Sequence, residues 1–157
     1  MKLFLVILLT LLTWTSPAKA DEFNCLVEAV YHEARSEDLI PMLAVANVIL
    51  TRKESSNFPD TICKVVHQGR YWKGNPIRDK CQFSYFCDGK EERFTDIKGL
   101  IKVINVVEMA LKGGQVRQTV GATHYHASYV TPFWASDPRF KALGQLGTHL
   151  FYIDMRE

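Results

Sequence analysis

The segment PMLAVANVILT, residues 41–51, constrains the fold of this 157-residue chain more than any other. Its hydrophobic residues would occupy almost every side of a helix instead of one stripe. Such a helix is stable only when other elements cover it all round, so we expect it at the centre of a single core. Asp38 is suited to cap this helix, and Pro41 fits its first turn, where a missing N–H is harmless.

Hydrophobic spacing predicts two further helices. In residues 23–35 the apolar side chains recur at the i, i+3, i+4 and i+7 positions of one helix face. Residues 95–112 repeat the pattern more clearly, and Gly113-Gly114 ends it. We predict a strand over residues 81–87, CQFSYFC, and loops with short strands in the aromatic tail. Residues 61–66 fit either a short helix or a strand. The sequence therefore predicts an α+β domain with a helical core and a small sheet.

Residues 1–20 are predicted to be a cleaved secretory signal. Lys2 precedes an apolar run over residues 3–14, and Ala18-Lys19-Ala20 has the small-x-small pattern after which signal peptidase cuts. The run is shorter than the roughly 20 apolar residues that a spanning helix needs. An uncleaved N-terminal anchor is the alternative. We expect residues 21–157 to form the mature domain, secreted or periplasmic and not bound to a membrane.

The charge balance argues against a nucleic-acid partner. The chain has 19 Lys and Arg residues against 17 Asp and Glu residues. Two of the basic residues, Lys2 and Lys19, lie in the predicted signal, so the mature chain has 17 against 17. Proteins that neutralise nucleic-acid phosphates carry a basic surplus, and this mature chain has none. Its length suits one domain with one core.

Four cysteines lie in the mature region, and an even number in an exported chain predicts two disulfides. A zinc site is the competing interpretation, but the cysteine spacing contains no C-x-x-C pair. Three pairings are possible, and the sequence does not decide among them. We favour Cys63–Cys81 together with Cys25–Cys87.

Four carboxylates crowd the segment AVYHEARSED, residues 29–38, and the turn before it: Glu28, Glu33, Glu37 and Asp38. On a helix, Glu33 lies about 20° from Leu26, at the edge of the apolar face. Glu28 and His32 are expected on the opposite, solvated side. Glu33 therefore borders the core, whereas Glu28 and Asp38 are interpreted as structural residues.

Glu33 has the setting of a general acid. Burial against apolar neighbours raises the pKa of a carboxyl group, and so does a nearby anion such as Glu37. A carboxyl group that stays protonated near neutral pH is able to protonate a leaving oxygen. The structural alternative is an ion pair of Glu33 with Arg35 or Arg52. Glu37, in turn, is either a second catalytic carboxylate that orients Glu33 or a residue that pairs at the helix end.

Five blocks of the sequence resemble, in order, the SleB/CwlJ family of cell-wall hydrolases, which act on bacterial peptidoglycan. The blocks are YHEARSE, AVANVILTRKESSNFPDTICKVV, CQFSYFCDG, GATHYHASYVTPFWA and LGTHLFY. The resemblance covers nearly all of residues 21–157 and implies that they form a catalytic domain with a lysozyme-like, lytic-transglycosylase-like fold. The family's catalytic glutamate, in its E-A-R-x-E motif, falls on Glu33. The motif usually has glycine where this chain has Ser36.

The resemblance implies a lytic transglycosylase that cleaves the glycan strand between N-acetylmuramic acid and N-acetylglucosamine. Such an enzyme leaves 1,6-anhydromuramyl ends and uses one glutamate as acid and base. We expect peptidoglycan strands as the partner, no cofactor or metal, and a monomer. Sugars bind through hydrogen bonds and flat aromatic contact. The residues predicted to supply these contacts are Gln82, Ser84, His124, Tyr125, His126 and Trp134.

Two other functions compete with this interpretation. His124, His126 and His149 match the ligand set of a zinc site with an open position, as in a metal-dependent N-acetylmuramoyl-L-alanine amidase or peptidase. The H-x-H pair is a weak motif, and the chain has no H-E-x-x-H sequence. The second alternative is a glycan-binding protein without catalytic activity, which the position of Glu33 in its motif argues against.

We predict that the exported protein begins at Asp21, because the small-x-small pattern ends at Ala20. N-terminal sequencing and the intact mass of protein recovered from a secreting host measure this start. A chain that keeps Met1 and sediments with the membrane fraction would instead establish an uncleaved anchor.

Overall fold

The structure, a computed structural model, describes residues 17–156. The apolar run of the predicted signal lies outside these residues. The helices are α1 (Pro17–Ala34), α2 (Leu39–Glu54), α3 (Ile62–Val66) and α4 (Ile97–Leu111). The strands are β1 (Gly69–Trp72), β2 (Asn75–Cys81), β3 (His124–Ala127), β4 (Phe140–Leu146) and β5 (His149–Asp154). Over residues 17–156 we find no helix with both the length and the hydrophobicity to cross a bilayer.

Helix α2 is the centre of the core, as its sequence predicts. It packs against α1, α3 and α4, and it also touches β4. Six consecutive residues, 41–46, are buried, which one stripe on a half-exposed helix cannot produce. Asp38 occupies the N-cap position, but its side chain makes no capping hydrogen bond. Pro41 lies in the first turn, where its missing N–H costs no hydrogen bond.

The other two predicted helices are confirmed. Helix α1 buries Leu26 and Val30 completely, and it begins at Pro17, before the predicted signal cleavage site. That cleavage stays a prediction. Helix α4 begins after Asp96, whose Oδ1 accepts a hydrogen bond from the Gly99 amide at 3.0 Å. Residues 61–66, for which the sequence fits two structures, form the short helix α3 and its cap.

The sheets are small and antiparallel. Strands β1 and β2 form a hairpin, and the tail forms a three-stranded sheet in the order β3-β5-β4, as expected of its short strands. The predicted strand over residues 81–87 is wrong. Strand β2 ends at Cys81, and residues 84–87 form a 3₁₀ turn in which the Phe86 amide donates to the Phe83 carbonyl at 3.2 Å. Polar and apolar residues alternate in this segment, as in a strand, because the 3₁₀ turn and the residue before it bury Phe83 and Tyr85 while Gln82 stays exposed.

The favoured disulfide pairing is also wrong: the bonds are Cys25–Cys63 and Cys81–Cys87. Helix α1 packs on α3, which brings the Cα atoms of Cys25 and Cys63 to 5.2 Å. The Glu22 carboxylate strengthens this junction by accepting a hydrogen bond from the Ile62 amide at 2.7 Å. The 3₁₀ turn brings Cys87 back to the end of β2. Both pairings depend on tertiary packing, which spacing along the chain does not reveal.

We predict that a non-reducing protease digest contains two disulfide-linked species, one joining Cys25 to Cys63 and one joining Cys81 to Cys87. Because both bonds are closed in the fold, alkylation of the unreduced protein should modify neither pair. Mass spectrometry of the digest before and after reduction identifies the linked peptides. A peptide that links Cys63 to Cys81 would contradict the arrangement of α1 and α3.

Candidate active site

A cavity of about 650 Å³ lies where α1 and α2 meet the 3₁₀ turn 84–87 and strand β3. Its volume lies within the range of about 300–1,000 Å³ that is usual for ligand sites. The wall of the cavity includes Glu33 and all six residues predicted to contact the glycan: Gln82, Ser84, His124, Tyr125, His126 and Trp134. The structure thus brings together side chains separated by up to about a hundred positions in the sequence.

Glu33 lies in the last turn of α1, partly buried at the cavity wall. Burial raises the pKa of its carboxyl group above the ordinary value. Two weaker effects oppose burial: a hydrogen bond from the Tyr125 hydroxyl to Oε2 at 3.2 Å, and the positive charge of Arg52. The sequence suggested the Glu37 anion as a second cause, but burial is the effect that raises this pKa.

Arg52 contributes a positive charge to the wall of the cavity. It is 5 % exposed near the end of α2, and its Nε donates to the Thr123 carbonyl at 2.6 Å. Its guanidinium also lies 5.2 Å from the ring centre of Phe58 and 5.7 Å from that of Phe83. From the sequence alone, Arg52 is interpreted only as a possible ion-pair partner of Glu33. Its role as a buried charge beside β3 is visible only in the fold.

Strand β3 directs Tyr125 toward Glu33 and its neighbours toward Trp134. Burial, and secondly the negative charge of Glu33, raise the pKa of Tyr125 well above its ordinary value, so the hydroxyl stays a donor. His124 and His126 lie on the other face of the strand, with ring centres 5.4 and 5.5 Å from that of Trp134. One strand therefore supplies the partner of the carboxyl group and part of an aromatic wall.

The three histidines of the zinc alternative have separate surroundings. Burial, followed by the charge of Arg52, lowers the pKa of His124 to about 4, and its Nδ1 lies 3.0 Å from the Thr123 hydroxyl. His126 donates through Nδ1 to the Ala127 carbonyl at 2.9 Å. His149 is buried, and burial lowers its pKa. Across residues 17–156, no three His, Cys, Asp or Glu side chains are arranged to hold an ion.

Glu37 does not line the cavity. Its Oε1 accepts hydrogen bonds from the Thr148 amide, at 3.1 Å, and from the Thr148 hydroxyl. It also lies 3.8 Å from Nδ1 of His149. Glu37 therefore ties the end of α1 to the turn between β4 and β5. Its predicted part in catalysis stays a prediction, and the contacts it makes are with the sheet.

Sequence reasoning missed His32 and Tyr85 as cavity residues. His32 was expected on the solvated side of α1, but its ring stacks on Tyr85, with ring centres 4.6 Å apart. Glu28, expected on the same side, is also partly buried, and its pKa is raised by burial and then by Glu92. The 3₁₀ turn covers this side of α1, and helical periodicity alone does not report what covers a helix.

Comparisons with known proteins bear on this site and fold. A family model described as Cell Wall Hydrolase matches residues 36–152, a segment that begins just after Glu33. A spore cortex-lytic enzyme of Halalkalibacterium halodurans is 29% identical over 133 residues, which cover 83% of this chain and 34% of that enzyme. The chain thus spans about a third of the length of this curated relative.

Two solved structures resemble the fold at 24% sequence identity. The catalytic domain of the germination-specific lytic transglycosylase SleB from Bacillus anthracis superposes with a TM-score of 0.64, covering 89% of this chain and 98% of that one. The catalytic domain of the Bacillus cereus SleB protein gives 0.61, covering 85% and 90%. The predicted α+β, lysozyme-like arrangement is confirmed.

We predict that Tyr125→Phe raises the pKa of Glu33 further, because the lost hydrogen bond favoured the charged carboxylate. The measurement is a pH titration of the Glu33 carboxyl carbon by NMR, with the signal assigned by its absence in Glu33→Gln. Tyr152→Phe is the matched control, since that hydroxyl bonds to His126 and should leave the titration unchanged. An unchanged or lowered pKa in Tyr125→Phe would contradict this account of the carboxyl group.

Proposed function

Because the chain belongs to the cell wall hydrolase family, as its five sequence blocks predicted, we propose that it degrades peptidoglycan as a lytic transglycosylase. It would cleave the glycan strand between N-acetylmuramic acid and N-acetylglucosamine, with Glu33 as the single acid and base. One observation carries the proposal. Within residues 17–156, Glu33 is the one acidic side chain that lines the cavity.

The number of carboxylates separates two kinds of glycosidic cleavage. Hydrolysis by the usual mechanisms needs two, one as general acid and one as base or nucleophile. Transglycosylation needs one, because the 6-hydroxyl of the muramic acid attacks its own anomeric carbon. With Glu37 bonded to Thr148 and outside the cavity, the available carboxylate favours transglycosylation.

The proposed reaction has two steps. In the first, the Glu33 carboxyl group gives its proton to the glycosidic oxygen, and the bond from that oxygen to the anomeric carbon breaks. The positive charge develops on the anomeric carbon and the ring oxygen of the muramic acid. In the second step the muramic O6 bonds to the anomeric carbon, and its proton passes to the Glu33 carboxylate. Glu33 ends protonated, ready for another cycle.

The surroundings of Glu33 suit both steps. Burial favours the neutral acid that the first step consumes. The Tyr125 hydroxyl and the Arg52 charge favour the carboxylate that the first step leaves behind. A group balanced between opposing effects exchanges a proton in both directions at modest cost, which is what one residue acting as acid and then base requires.

The cavity wall also suits an uncharged sugar chain. Gln82 and Ser84 are exposed and carry donors and acceptors for sugar hydroxyls and N-acetyl groups. Trp134 contributes an aromatic ring to the wall of the same cavity, and so does Tyr129, which is 85 % exposed. Together these side chains supply the polar contacts and the flat apolar contacts by which proteins bind sugars.

We predict that Glu33→Gln lowers turnover on purified peptidoglycan by about 10²- to 10⁴-fold, because the amide fills the same space but has no proton to donate. Binding to insoluble peptidoglycan should persist. Above the raised pKa of Glu33 the variant should unfold at a higher temperature than wild type, because it removes a buried charge. This difference should shrink as the pH falls and the wild-type carboxyl group becomes protonated.

Glu37→Gln is the internal control and should lose less activity. Mass spectrometry of the soluble products identifies the reaction: anhydro ends indicate a transglycosylase, reducing ends a hydrolase, and free stem peptides an amidase. A folded Glu33→Gln protein that releases fragments at the wild-type rate would exclude Glu33 as the acid. Binding by wild type without any release would instead establish a non-catalytic glycan-binding protein.

A further inference from the structure

The β1–β2 hairpin, residues 69–81, contributes almost nothing to the core. All its side chains are exposed except two that are half-buried, Ile77 and Cys81. Its two-residue turn, Lys73-Gly74, has φ values of 49° and 81°, which match the twist of antiparallel strands. An isolated two-stranded hairpin is marginally stable in water. This one therefore depends on attachments at its base.

Three attachments hold the base of the hairpin to the domain. The Cys81–Cys87 disulfide joins β2 to the 3₁₀ turn. The backbone amide of Gln82 donates to the backbone carbonyl of Gln68 at 2.8 Å. The Tyr71 hydroxyl donates to the backbone carbonyl of His67 at 2.6 Å. These bonds hold an exposed hairpin that buries little of its own surface, so its side chains are free to contact a partner.

That surface is aromatic and basic. Trp72 is 70 % exposed, and beside it an apolar hollow is lined by Trp72, Pro76 and Ile77. Four cations lie on the hairpin, against the single acid Asp79: Arg70, Lys73, Arg78 and Lys80. The predicted mature chain as a whole has no net charge, with 17 basic and 17 acidic residues, so the hairpin concentrates positive charge locally.

The hairpin begins at the wall of the candidate active site. Strand β2 ends at Cys81, and the next residue, Gln82, already lines the cavity together with Ser84. A polymer that occupies the cavity is thereby held close to the hairpin, and a second contact with the same polymer costs little additional entropy.

We propose that the hairpin is a second binding surface for peptidoglycan, outside the catalytic cavity. Trp72 would lie against the flat face of a sugar ring, and the cations would pair with free carboxylates of the peptide stems. This rests on the proposed function, which supplies the polymer. Peptidoglycan combines sugar faces with carboxylates, the two chemistries that the hairpin complements, and the cavity that would hold it lies one residue beyond the base of the hairpin.

The test measures sedimentation of protein with insoluble peptidoglycan in the Glu33→Gln background, where cleavage is expected to be too slow to release the polymer during the measurement. Trp72→Ala should weaken binding about two- to tenfold, the range expected of one aromatic contact. Trp72→Phe, which keeps a flat ring, should recover most of the loss. Arg70, Arg78 and Lys80 changed together to Gln should weaken binding roughly tenfold at low salt. This loss of binding by the triple variant should vanish at about 1 M salt, where the Debye length is about 3 Å.

Two controls make the result specific. Lys53, Lys98 and Lys141, exposed cations outside the hairpin, changed together to Gln remove the same charge and should preserve binding. The hairpin variants, made in the active protein, should keep wild-type turnover on glycan fragments too short to reach the hairpin. Because the substituted hairpin side chains are exposed, the variants should melt like wild type.

Two outcomes would overturn the inference: hairpin variants that bind peptidoglycan as tightly as their parent, or variants that lose binding only to anionic lipid vesicles. The second outcome would identify a membrane surface as the partner. Failure of the proposed function is a separate result. If the wild-type protein releases no fragments while the hairpin variants bind peptidoglycan less tightly, the hairpin inference stands and the catalytic proposal falls.

Discussion

The rest of the structure depends on covering α2, a helix that is apolar on nearly every side. Helices α1, α3 and α4 and strand β4 pack around it. Arg52 is the exception among its buried residues, and an unpaired buried charge would cost several kcal/mol. The Thr123 carbonyl accepts a hydrogen bond from this side chain, and two aromatic rings lie within cation–π distance. The requirement to stabilise Arg52 thus joins the helical core to the residue just before β3, and so to the cavity.

The central contact of the cavity, from Tyr125 to Glu33, joins residues 92 positions apart in the sequence. Strand β3 pairs with β5, which places Phe151 opposite Tyr125 and inside the core. The hydrogen bond from the Thr148 amide to the Glu37 carboxylate fixes the beginning of β5 near the C-terminal end of α1. The two glutamates lie four residues apart in the sequence but differ in what they contact: Glu33 lines the cavity, whereas Glu37 bonds to the turn before β5.

Local patterns in the sequence predicted the local parts of this structure. The three long helices follow from the spacing of apolar residues, and the fully apolar segment identified the central one. Predictions failed where a distant element decides the outcome. The disulfide pairing depends on α1 packing against α3, and the position of His32 depends on the 3₁₀ turn that stacks Tyr85 upon it. The same alternation that predicted a strand over residues 81–87 also fits a turn, because either structure buries Phe83 and Tyr85.

The electrostatics of the cavity suit Glu33 to donate and then accept a proton. Burial lowers the pKa values of His32, His124 and His149, so near neutral pH these rings are uncharged. Tyr125 stays protonated because its pKa is raised. Arg52 keeps its charge throughout. Glu33 is the acidic side chain that lines the cavity in the described residues, and burial favours the neutral form from which a proton is donated. A site of this kind needs no second carboxylate to move a proton out and back, provided that the substrate brings its own nucleophile, as the muramic acid hydroxyl does.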